Sequence, residues 1–220
     1  MKKIGILMLA LMLVFMVSCK NETKETAETG FTLTENTSEN APEKEAEKTE
    51  ENIEVENKVV TITVKDFGDM VLELYPEYAP ETVANFIELA ESGFYEGLVF
   101  HRIYKGFMIQ GGSTDGIGIT GSDKKIKGEF AANGVNNPIS HERGVISMAR
   151  TNDPNSASSQ FFICDADSTF LDGSYAAFGK LVEGYDVLDA IASVDVTYGP
   201  SGEKSSPLVA PVIEKVTVNK

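Results

Sequence analysis

The stretch FHRIYKGFMIQGG, residues 100–112, decides how the rest of the chain is read. It sets one arginine, Arg102, among Phe, Ile, Tyr, Met and Gly. A guanidinium in apolar surroundings is costly unless something partners it. LVFHRIY and FMIQGG each have strand length and meet at a Gly-containing turn. Outward from this stretch the pattern continues. GVISMAR (144–150), QFFICD (160–165) and AAFGKLVEG (176–184) are further short apolar runs separated by turn residues. Upstream, VVTITVK (59–65) and VLELY (71–75) alternate apolar and polar around the DFGDM turn and predict a hairpin. PVIEKVTVNK closes the chain as another strand, with Pro211 at its start, where a missing N–H is tolerated.

Two segments break the strand pattern. APETVANFIELAESGF (79–94) has Pro80 at a first helical position, Glu81 near the positive end of the dipole and Gly93 as a stop. Val83, Phe86, Ile87 and Ala90 recur on one helical face. YDVLDAIAS (185–193) predicts a second helix, and residues 113–140 read mostly as loop. Many short strands with two helices far apart do not make the alternation of a parallel sheet. They predict a mainly β antiparallel barrel with helices over its open ends.

The first 57 residues are of another kind. MKKIGILMLALMLVFMVS (1–18) has two lysines and then an apolar run from Ile4 to Val17, the layout of an export signal. The run is shorter than the about 20 residues a membrane span needs. Ser18-Cys19 resembles the lipobox of bacterial lipoproteins, with Met16 where that motif usually has Leu, so Cys19 is the expected lipidation point. Residues 20–57 carry twelve Glu against four Lys and few large apolar residues. Such a segment cannot bury enough surface to offset its ordering entropy. It is expected to be a disordered tether of roughly 35 Å average reach, which leaves residues 58–220 as one domain.

The chain has a formal charge of −15, which disfavours nucleic acid as a partner. With Cys19 lipidated, Cys164 has no partner for a disulfide, and its place in FFIC predicts a buried hydrophobe. No His/Cys/carboxylate cluster has metal-ligand spacing, and nothing calls for a cofactor. No G-x-S-x-G elbow is present, and His101 and His141 both read as structural, so a hydrolase is a poor reading.

Four blocks in order carry a more specific signal: APETVANF (79–86), FHRIYKGFMIQGG (100–112), GVISMAR (144–150) and SSQFFICDADSTFLDGSYAAFGKLVEG (158–184). Together they resemble the cyclophilin family of peptidyl-prolyl isomerases, over essentially all of 58–220. The resemblance implies an eight-stranded antiparallel barrel capped by two helices. It implies that Arg102 is the catalytic arginine and Gln110 the glutamine that contacts the substrate backbone. The proline pocket falls on Phe107, Met108, Phe162 and Leu171, and the backbone groups that meet the peptide lie near Ala149 and Arg150. Phe170 and Tyr175 stand where many members have Trp and His. Phe170 lacks the indole donor, so cyclosporin binding is expected to be weak. Arg150, where many members have Asn, is expected to put a long cation near the groove.

The implied activity is rotation about Xaa-Pro bonds in unfolded exported proteins, by a monomer held to the membrane through Cys19. A tethered proline-binding module is the alternative, and Arg102 discriminates, since a binder needs the pocket but not the cation. On this reading Arg102 stands among apolar residues because its partner is the substrate, with Gln110 as its resting support.

Overall fold

The computed structural model describes residues 56–199 and 201–219. Residues 1–18, expected as an export signal, Cys19 and the acidic segment up to residue 55 lie outside the described residues. The first strand, β1 (Lys58–Val64), pairs in full antiparallel register with β2 (Gly68–Leu74), Val60 opposite Leu72 and Ile62 opposite Met70. These alternating residues are completely buried, as period-2 patterning over a one-sided sheet requires. Helix α1 follows at Pro80–Glu91. Then come β3 (Arg102–Tyr104), β4 (Met108–Gly111), β5 (Val145–Met148), β6 (Phe161–Cys164) and β7 (Ala177–Glu183). Helix α2 (Tyr185–Ala192), a small hairpin of β8 (Val196–Tyr198) and β9 (Lys204–Pro207), and β10 (Ile213–Asn219) complete the chain.

Eight strands form one antiparallel sheet in the order β10-β1-β2-β7-β5-β6-β4-β3. The sheet curls, and the segment 97–100 links its two ends. Gly97 N–H donates to Ile213 O (2.8 Å), Ile213 N–H to Leu98 O (2.8 Å) and Phe100 N–H to Pro211 O (2.9 Å). His101 N–H then donates to Gln110 O (3.0 Å), so the chain passes from one edge of the sheet to the other. This is the predicted mainly β architecture with two helices.

The run read as a strand from residue 98 is a strand only from Arg102. The hairpin β8–β9, absent from the sequence reading, has strands of three and four residues with no clear apolar alternation. Inside the sheet, α1 and α2 pack against one apolar cluster that includes Phe86, Tyr95, Phe100, Phe161 and Phe178. Phe161 meets Phe86, Tyr95 and Phe100 edge-on, with centroids 5.5–6.0 Å apart, the favoured aromatic geometry.

Candidate active site

The same period-2 alternation that fills the interior also builds a second, outer cluster. In β3, β4 and β6 the residues Ile103, Ile109 and Ile163 point inward. Their neighbours Arg102, Met108, Gln110 and Phe162 therefore point outward. Register places Arg102 opposite Gln110, and Gln110 opposite Phe162. Met108, Phe162, Cys164 and Leu171 pack together there, with Phe107, Ala149 and Tyr175 against them. Phe107, Met108 and Phe162, which by composition alone would pass for barrel core, belong to this outer group.

Phe107, Met108, Ala149, Phe162, Leu171 and Tyr175 line a cleft of about 140 Å³ with Arg102, Gln110 and Arg150. The structure thus gathers nine of the ten residues expected at a substrate site into one cavity. The tenth, Phe170, lies beside it, 73% exposed, its ring 5.5 Å from that of Phe107. It belongs to a short 3₁₀ turn, Thr169–Leu171, whose Leu171 enters the cleft.

Arg102 is partnered, and mainly by a residue the sequence reading did not supply. Glu203, in the turn joining β8 to β9, accepts from Nε at 2.7 Å and from Nη2 at 3.0 Å. Gln110 Oε1 accepts from Nη1 at 3.3 Å, and Met108 Sδ lies 4.0 Å from the same nitrogen. Gln110 does support the resting arginine, as expected, but Glu203 holds it at shorter distances. Arginine has no acceptor, so Gln110 must turn its oxygen to it and its amide nitrogen away. That nitrogen donates to Gln160 Oε1 at 3.0 Å. Gln160 in turn donates to Gly118 O (3.1 Å) and Thr120 O (2.9 Å). Two backbone carbonyls thereby fix the orientation of both amides. Gln160 lies within the SSQFFI block, but its role depends on the 113–120 loop, which carries no periodic signal.

Arg150 lines the cleft, as expected of a cation near the groove, and its guanidinium is fixed there. It lies between two rings, 5.0 Å from Phe130 and 4.8 Å from Tyr175. Its Nε and Nη2 donate to Ser174 O and its Nη1 to Thr151 O, at 2.8–3.0 Å. Cation–π contact and three hydrogen bonds hold it as part of the wall. The Ala149 N–H donates to Gln160 O (2.9 Å), so that donor is already spent within the sheet.

Beneath the cleft, His141 stacks on Phe162 with centroids 6.0 Å apart and planes 17° from parallel. Its Nδ1 is 2.8 Å from Asp172 Oδ1 and its Nε2 is 3.0 Å from Ser147 Oγ. Burial holds the His141 pKa below the ordinary histidine value, so the ring is neutral at pH 7. A carboxylate only accepts, so Nδ1 carries the proton and Nε2 accepts from Ser147. The Ser–His–Asp arrangement is not a hydrolytic triad, because Ser147 is fully buried within β5 and no acyl group reaches it. It is a polar support under the pocket floor, which agrees with the structural reading of His141. Cys164, on the same floor, is buried, and burial pushes its thiol up to about 12. It is an inert packing residue. His101 is buried and held below the ordinary histidine pKa, chiefly by burial.

A family model described as cyclophilin type peptidyl-prolyl cis-trans isomerase matches residues 59–218. Peptidyl-prolyl cis-trans isomerase B of Escherichia coli is 40% identical over 162 residues, covering 70% of this chain and 95% of its own. A peptidyl-prolyl cis-trans isomerase of Helicobacter pylori is 44% identical over 142 residues, covering 63% and 84%. Among solved structures, a cyclophilin type peptidyl-prolyl cis-trans isomerase of Cryptosporidium parvum superposes with a TM-score of 0.67 at 29% identity, over 75% of this chain and 99% of that one. The sheet order, the outer apolar cleft with its arginine, and these likenesses together place the chain in the cyclophilin family of peptidyl-prolyl cis-trans isomerases.

Proposed function

We propose that this isomerase acts on Xaa-Pro bonds of exported proteins outside the cytoplasm, with Arg102 as the group that speeds rotation. The amide resists rotation by about 18–20 kcal/mol, because its nitrogen lone pair is delocalised into the carbonyl. In the twisted state the nitrogen regains that lone pair. A fixed cationic donor aimed at it stabilises the twisted state more than the planar one. The Nη1 group of Arg102, beside Met108 and Gln110 at the mouth of an apolar cleft, is the observation that supports this reading. The cleft formed by Phe107, Met108, Phe162 and Leu171 grips the proline ring, and Gln110 meets the peptide backbone. No cofactor takes part, since no covalent bond changes.

The signal-like segment 1–18 and the lipobox-like Cys19 support export and a lipid anchor, and residues 20–57 support a spacer between membrane and domain. The domain works as a monomer on unfolded exported chains. Exposed Phe170, without an indole donor, supports weak cyclosporin binding.

The test compares the full chain with its Arg102→Ala variant, measuring cis–trans exchange of a short Xaa-Pro peptide and peptide affinity together. Loss of most of the rate with affinity retained is expected. A variant that keeps the wild-type rate refutes the role of Arg102. Binding without acceleration in either protein would make the domain a proline-binding module.

A further inference from the structure

The ion pair between Arg102 and Glu203 has no obvious use in stability. The two side chains are 35% and 28% exposed, and pairs so wetted contribute little to folding. Its geometry is nevertheless specific. Glu203 comes from the opposite end of the domain sequence, in the turn between β8 and β9. That turn is closed by Gly199 N–H donating to Glu203 O (2.9 Å) and by Gly202, which has φ +77° and donates to Gly199 O (3.0 Å). β9 lies beside β3, and Ser205, next to the turn, is buried, so the hairpin is seated and not loose. The carboxylate takes the Nε–Nη2 edge of the guanidinium in a two-bond fork, which leaves Nη1 facing Gln110 and Met108 at the cleft.

We infer that Glu203 is a positioning residue for the isomerisation: its carboxylate holds one edge of the Arg102 guanidinium so that Nη1 stays turned to the proline pocket. The inference rests on the reading of Arg102 given above. A half-exposed arginine without an anchor samples several rotamers, and each must be given up when the twisted amide forms. Gln110 alone offers one neutral acceptor at 3.3 Å, a weak restraint. A forked carboxylate supplies the geometric specificity that one amide oxygen does not. The carboxylate also offsets part of the cation's field, which works against catalysis. That loss is the smaller effect, because the twisted amide develops a lone-pair dipole and not a net charge. Glu203 also sits on the far edge of the guanidinium, where solvent screens it.

The experiment uses the full chain with Glu203→Ala, Glu203→Gln, Arg102→Ala and the double variant Arg102→Ala/Glu203→Ala. Cis–trans exchange is measured by NMR on one Xaa-Pro peptide from low to saturating concentration, with thermal melting alongside. Glu203→Ala is expected to lower kcat roughly 3- to 30-fold with little change in KM. Glu203→Gln, which keeps one acceptor oxygen, should fall between it and wild type. In the Arg102→Ala background the Glu203 change should cost nothing further. A Glu203→Ala protein that melts lower but keeps kcat, or gains kcat, overturns the inference, as does a Glu203→Ala change that costs as much in the Arg102→Ala background as it does in wild type. Loss of rate in Arg102→Ala with none in Glu203→Ala sinks this inference and leaves the arginine reading standing. Wild-type rates in Arg102→Ala sink both.

Discussion

Replacing Glu129 tests how the long loop is bound to the first helix. Helix α1 begins at Pro80, with Ala79 before it and no capping side chain of its own. Pro80 has no N–H, and Val83 N–H already reaches Ala79 O (2.9 Å). The two donors left are Glu81 and Thr82. Both go to one carboxylate, Glu129, 47 or more residues away: Glu81 N–H to Oε1 at 3.0 Å and Thr82 N–H to Oε2 at 2.8 Å. Glu129 is 5% exposed, and the carboxylate sits at the positive end of the helix. Glu129→Ala deletes two charge-assisted bonds, each about 1.5–3 kcal/mol, and buries an unmet Thr82 donor. Recovered desolvation of the carboxylate offsets part of this. The expected net loss is about 3–5 kcal/mol, or roughly 8–15 °C in Tm for a domain of this size. Glu129→Gln restores one acceptor but turns an amide N–H toward the other donor, so about 2 kcal/mol is expected. Thermal and urea unfolding read both variants, with an unchanged urea slope marking a true stability change. A Glu129→Ala protein melting within about 2 °C of wild type would refute the reasoning, since it would mean water caps the helix as well as the carboxylate does.

Two further outcomes follow from the loops beside the cleft. Asp115 accepts from the Ser113 hydroxyl and from the backbone N–H groups of Ile117, Gly118 and Thr120, which ties residues 113–120 into a closed turn. The Ser113 hydroxyl, then the backbone donors, outweigh desolvation and hold this carboxyl far below the usual range. Its contribution is therefore complete above the unfolded value of about 3.9 and is lost as pH falls from there toward the folded value. Amide exchange at 117–120 should be slow at pH 6 and, after correction for intrinsic rates, less protected at pH 3. Asp115→Asn should remove most of that difference, and equal protection at both pH values in wild type would count against it. At Gly112, φ is +82° and an added Cβ would lie 2.3 Å from the Ser159 carbonyl oxygen. Gly112→Ala is expected to cost more than about 2 kcal/mol in urea unfolding and to lower the isomerase rate by shifting Gln160; a stability change near zero would contradict the packing described.

What the sequence determined by itself is what local period and short blocks encode. Alternation in VVTITV and VLELY sets which residues of β1 and β2 face inward, because a strand's side chains change sides at every step. The helical face of Val83, Phe86 and Ala90 is legible for the same kind of reason. Phe107, Met108 and Gln110 fall within four consecutive positions, so one turn and one strand bring them together, and the matching blocks identify the rest of the cleft. Tertiary structure alone decided the partnerships. Glu203 reaches Arg102 across 101 positions, from a hairpin too short and too polar to show a pattern. Glu129 caps a helix from within a stretch that reads as plain loop, and Arg150 is held between Phe130 and Tyr175, 20 and 25 positions away in the chain. Each of these contacts depends on where an irregular loop closes against a distant element. Loop closure is set by the packing of the whole domain, and no residue spacing along the chain records it.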